Sequence, residues 1–273
     1  MHIEFFCPRW GREDLDFRDF CRMVKLAGFA GVEMSLTLNE RVADELLGVL
    51  EANSLKLIAQ HHETRSADYN DHANEFRQRL TRLAEMKPLC INSQTGMDWF
   101  TPQQNIDLIN IAGEIAEKYG IPVYHETHRS RFSFAAHVMS QYLELIPDLM
   151  LTLDISHWCA VAESYLHDQE ESVEKVLRRT AHLHCRVGFP EGPQVADPFT
   201  DFWQNALDIH LGWWDTVVTH ARRRGLKEFT ITTETGPSPY MPVDPISGEP
   251  VADQWDVNMR MKDFLKERYC YVS

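Results

Sequence analysis

Four polar side chains stand at the ends of short apolar stretches in the second half of this chain. They are Glu126 in Val123-Tyr-His-Glu-Thr-His128, Asp154 in Leu151-Thr-Leu-Asp-Ile-Ser-His157, His184 in His182-Leu-His-Cys-Arg186 and Glu234 in Ile231-Thr-Thr-Glu-Thr-Gly236. The intervals between them are 28, 30 and 50 positions. Brought to one point, three carboxylates would repel one another, a conflict that a divalent cation resolves. Carboxylate oxygens with one neutral imidazole nitrogen suit Mn²⁺, Mg²⁺ or Co²⁺, and Zn²⁺ also accepts such a set. A single Asp or Glu at a strand end is ordinarily a helix cap or a solvated loop residue. Four groups in register, each at the C-terminal end of an apolar stretch, point instead to a shared site.

The elements that must position them follow from hydrophobic periodicity. Strand-like stretches at 3–7, 31–36, 56–62, 90–95, 123–128, 150–156, 182–187 and 229–235 alternate with helical spacing, clearest at 39–52, 70–86, 102–119 and 208–224. Eight strand–helix units predict an α/β protein, a single-domain (β/α)8 TIM barrel over 1–273, with an open doubly wound sheet as the alternative. An open sheet would carry a glycine-rich phosphate loop after its first strand, and that turn reads Cys7-Pro-Arg-Trp-Gly-Arg12. One βα unit takes about 30 residues, so the first two intervals are one unit each. The third is one unit plus the Gly-, Pro- and Asp-rich stretch 188–205, expected to be the one long interruption, on the catalytic face. Residues two apart on a strand face the same way, which pairs Glu126 with His128, His184 with His182 and Arg186, and Glu234 with Thr232.

Composition narrows the function classes. The chain has 27 basic and 41 acidic side chains, a formal charge of −14, so no nucleic-acid partner is expected and a small polar metabolite fits better. Six scattered cysteines without a CxxC pair read as isolated thiols in a reducing cytoplasm. Neither a signal-peptide pattern nor an apolar run of membrane-spanning length is visible, so no membrane association and a cytoplasmic location are expected.

The strand-end Glu126, Asp154-Ile-Ser-His157, His182-Leu-His184 and Thr233-Glu-Thr-Gly-Pro237 resemble the motifs of the xylose isomerase-like TIM barrels, the sugar phosphate isomerase/epimerase group that includes ketose 3-epimerases. The resemblance spans essentially the whole chain. It implies one divalent metal ion held by Glu126, Asp154, His184 and Glu234. Glu126 and Glu234 would then be the acid/base pair that moves a proton at the carbon beside a carbonyl through a stabilised ene-diolate. His157, three positions after the Asp, is implied as a substrate ligand, and Arg186 is the nearest candidate for an arginine that follows the metal His. His62 and His128 are further substrate-binding candidates at the same mouth. The substrate implied is a small sugar or sugar phosphate, and the group's exposed helical ring leaves a homo-oligomer open.

Three alternatives accompany this reading. A lyase that dehydrates a keto-inositol would use nearly the same metal and base. An endonuclease IV-like enzyme matches at Glu126, Asp154, His157, His184, Asp208-Ile-His210 and Glu234, but offers Asn92-Ser-Gln-Thr95 where that branch carries a His. A non-catalytic sugar binder would not need two facing carboxylates. Asp208 is expected to cap a helix and His210 to neighbour the substrate loop. His182 is expected to fill the barrel interior, Arg129 and Arg131 to meet a phosphate or solvent, and Trp213-Trp214 to pack.

Overall fold

Strand alternation governs the molecule. In a computed structural model that describes residues 1–270, eight parallel strands pair in chain order into a closed barrel. They are β1 (His2–Pro8), β2 (Gly31–Ser35), β3 (Lys56–His61), β4 (Ile91–Ser93), β5 (Val123–Glu126), β6 (Leu151–Leu153), β7 (Thr180–His184) and β8 (Glu228–Thr232). Between and after them run α1 (Phe17–Leu26), α2 (Glu40–Ala52), α3 (Tyr69–Glu85), α4 (Pro102–Tyr119), α5 (Ala136–Leu145), α6 (Ser156–Ala162), α7 (Glu170–Leu177), α8 (Gln204–Arg223) and α9 (Gln254–Cys270). Val32 and Met34, Leu151 and Leu153, Leu183, Phe229 and Ile231 pack outward with the helices in one large apolar core. The intervening positions turn inward. A separate cluster of Phe6, Ile58 and Cys90, with Tyr124 against it, fills part of the interior. Other inward positions, among them Glu33, Asn92, Thr152, His182 and Thr232, are polar and buried.

Caps fix several helix starts. Asn39 and Asp68 accept backbone N–H groups of α2 and α3, and Thr101 with Gln104 forms a capping box at α4. Except for β1, which runs one residue further at each end, the strands are shorter than the apolar stretches that predict them. β6 pairs only over Leu151–Leu153 before the chain turns into α6, and β7 runs from Thr180 to His184 rather than over 182–187. Asp208 does not cap α8. That helix begins at Gln204, directly out of a 3-10 turn at Asp201–Trp203, because the buried Ala206 and Leu207 already belong to its apolar face. Asp208 lies one turn in, accepting a hydrogen bond from Gln204 Nε2 at 2.8 Å. Nor is 188–205 the one long interruption: 233–253 is also non-helical, and its five prolines account for that. All six cysteines are unbridged. Among the described residues no helix is long and apolar enough to cross a membrane.

Candidate active site

The four strand-end groups converge. Glu126 and His184 are the last residues of β5 and β7, Asp154 lies one residue beyond β6, and Glu234 two beyond β8. One ligand atom from each lies within 4.8 Å of every other, and all four residues are buried. Asp154 is tied down locally. Its backbone N–H donates to Thr127 Oγ1 at 2.8 Å, and its Oδ1 accepts the Ser156 amide at 3.1 Å as α6 starts. Its Oδ2 receives the guanidinium of Arg186, whose Nη2 also stands 3.7 Å from Glu234 Oε2.

A fifth ionisable group, absent from the sequence reading, sits behind them. Glu33, in the middle of β2, lies with Oε1 2.9 Å from His184 Nε2 and Oε2 3.1 Å from His182 Nε2, and also accepts from Thr232. Thus Glu33 takes one nitrogen of His184 and turns the other, Nδ1, toward the site. Nδ1 is buried 2.7 Å from Glu234 Oε2, yet meets no partner at a hydrogen-bonding angle. Asn92 Nδ2 donates to both Glu33 and Glu126 at 2.9 Å, and Gln60 and Gln94 reach Glu234 and Glu126 at 3.4 and 3.3 Å. These amides gave no sequence signal beyond their place at strand ends. His182 fills the interior as expected.

Burial and neighbours split the two glutamates. Burial pushes the Glu126 carboxyl up to about 8, nearby Glu234, Asp154 and Glu33 adding to the push and His184 opposing it. Burial also opposes charge on Glu234, but His184 and Arg186 overcome it and hold that carboxyl below its ordinary value. For His184, burial disfavours the cation, but Glu234 and Glu33 outweigh it and hold its pKa well above the usual value. Asp154 is raised, chiefly by burial. The donor set therefore fits a divalent cation: hard carboxylate oxygens, one imidazole nitrogen without a hydrogen-bond partner, and an excess of negative groups that only protons, His184 and Arg186 otherwise balance.

Above them opens a cavity of about 490 Å³ whose lining includes Glu126, Glu234, His62, His128 and Arg186. Asp154, His157 and His184 are fully buried and are not part of that lining. His157 instead accepts from Arg186 Nη2 at 2.8 Å through Nε2, and its ring lies 3.9 Å from that of His128. Burial holds both imidazoles well below the usual histidine pKa. Arg129 lines the cavity. Arg131 does neither of the things expected of it: it is buried, donating to the carbonyls of His62, Thr64 and Gly96, because it pins the loops after β3 and β4. The 233–253 segment brings Tyr240 over the site, its ring 4.9 Å from the Arg186 guanidinium and edge-on to Trp10 at 5.1 Å. His210 accepts the Gly188 amide at 3.1 Å, at the start of the loop after β7, and Trp214 is core.

The barrel fold is similar to that of several solved structures. The 3-keto-D-glucoside 4-epimerase YcjR from E. coli superposes with a TM-score of 0.65 at 12% identity, covering 97% of this chain and 99% of that one. A xylose isomerase-like TIM barrel protein from Mycobacterium smegmatis in complex with magnesium gives 0.56 at 12%, over 86% and 91%. Endonuclease IV from Thermus thermophilus gives 0.58 at 12%, over 98% and 100%. No protein-family model and no curated protein matches the chain. At these identities the likeness concerns fold, and function must be argued from the site.

Proposed function

We propose that this chain is a divalent-metal-dependent isomerase or epimerase of a sugar or sugar phosphate. The observation that carries the reading is a division of labour. Of the four clustered groups, only Glu126 and Glu234 line the cavity, so they alone can both touch the cation and face a substrate. Asp154 and His184, with the two glutamates, would hold the cation, which supplies a Lewis acid for neighbouring carbonyl and hydroxyl oxygens. Glu234, kept ionised by His184 and Arg186, is the base that removes a proton from the carbon beside the carbonyl. Glu126, the other carboxylate on the cavity wall, returns one. Arg186, fixed by Asp154 and His157 and covered by Tyr240, binds a substrate oxygen. His62 and His128 orient hydroxyls from the wall, and His157 contributes by holding Arg186.

The fold neighbours named as an epimerase and as a magnesium complex support this reading by analogy alone. The cavity size and the charge of −14 favour a small substrate over a nucleic acid. The second carboxylate on the wall, Glu126, also favours one second reading, loss of water from a keto-inositol, because a group that delivers a proton to carbon can deliver one to a leaving hydroxyl. Metal analysis combined with a heavy-water exchange screen over ketoses, keto-inositols and phosphorylated sugars tests both. Deuterium incorporation without loss of water is expected, and Glu234→Gln should slow it by about 10²–10⁴-fold. Exchange that survives Glu234→Gln would refute the base assignment, and an unsaturated product would favour the lyase.

A further inference from the structure

Arginines are prominent on the cavity wall: Arg9, Arg65, Arg129 and Arg186 line it together with Glu13, Glu126 and Glu234. Arg186 is paired with Asp154 and Glu234, but no carboxylate lies within 4.0 Å of the other three among the described residues. Two of the three are also held in place by groups other than carboxylates. Arg9 donates to the Leu15 carbonyl at 2.6 Å and lies over the Phe20 ring at 4.5 Å, while its buried Nη1 has no hydrogen-bond partner. Arg129 donates to Tyr240 Oη at 3.1 Å and lies 5.2 Å over that ring. Glu13, also in the lining, accepts the Gly11 amide, and Glu63 accepts from Ser35 and the His62 amide. Guanidiniums on the wall of one cavity with no carboxylate in ion-pair contact are donors available to an anionic ligand.

We infer that the substrate is anionic, with its carbonyl and hydroxyl end at Glu126 and Glu234 and a fixed anionic group, a phosphate ester or a carboxylate, gripped by Arg9, Arg65 and Arg129. The inference rests on the sugar-converting reading above and deepens it by naming the substrate's charge. Calorimetric titration with D-fructose, D-fructose 6-phosphate, D-gluconate and inorganic phosphate tests it. At least one anionic sugar should bind about tenfold or more tightly than D-fructose, with inorganic phosphate binding as well if the anion is a phosphate. The preference should shrink in roughly 0.5 M salt. Arg65→Met with Arg129→Met should reduce it to within about twofold, whereas Arg129→Lys should keep part of it because a point charge remains. Equal binding of neutral and anionic sugars, or a preference that survives the double substitution, would overturn the inference. Exchange on neutral sugars with no anion preference would leave the catalytic reading standing alone. Arginine-dependent anion binding without exchange would do the reverse.

Discussion

Glu33 decides which nitrogen of His184 faces the three carboxylates, and it does so from outside their cluster. Replacing it with Gln removes the charge that orients the ring while keeping its shape. Mn²⁺ affinity, followed by electron paramagnetic resonance, should fall about 10–100-fold. An unchanged affinity would mean that Glu33 only fills space. A second expectation concerns protons. Without a cation, the Glu126 pKa of about 8 and the raised His184 pKa leave both groups protonated at neutral pH. A cation needs both deprotonated, so its binding should release protons near pH 7 and weaken as pH falls. Titrations in buffers of different ionisation enthalpy measure the release, and binding without it would contradict this electrostatic account. Glu126, Asp154, His184 and Glu234 were legible because each closes an apolar stretch at unit spacing. Glu33 was not, because it stands inside Gly31-Val-Glu-Met-Ser35 rather than at its end. Its inward parity between Val32 and Met34 was the signal available.

At the scale of elements, the barrel was readable because eight short β-rich stretches alternate with helical spacing, and the caps at Asn39 and Thr101 stand where the helices start. What escaped was how far each strand pairs, since a ladder ends where its neighbour departs, not where the apolar pattern does. The placement of Tyr240 also escaped, because nothing local says that a proline-rich segment folds back over Arg186. The seam between β2 and β3 gives an element-level prediction. A Cβ on Gly31 would lie 2.2 Å from the Lys56 carbonyl oxygen and 2.6 Å from Phe6. Gly31→Ala should therefore cost about 1–3 kcal/mol, read as a melting temperature lower by several degrees. A Tm equal to that of the parent would show that the seam relaxes freely.

Across the whole molecule, stability should depend on pH from two sides. Burial lowers His125 and His210 to about 4. Their contribution is complete above the unfolded value of about 6.5 and is lost as pH falls toward 4, on the order of 3 kcal/mol each. Glu126 has the opposite sign. Raised to about 8, it stabilises fully below its unfolded value and less as pH rises through 8. The metal-free protein should melt highest near neutrality, and saturating Mn²⁺ should suppress the alkaline loss, because the cation favours the ionised carboxylates. Melting curves between pH 4 and 9 with and without Mn²⁺ check this. An alkaline limb indifferent to the cation would separate Glu126 from the metal site.

The most direct measurement is anomalous diffraction from a crystal grown with Mn²⁺. One peak should lie about 2.0–2.2 Å from Glu126, Asp154, His184 and Glu234 alike. A peak held by Glu33, His182 and His184 instead, or none at the floor of the cavity, would contradict the account.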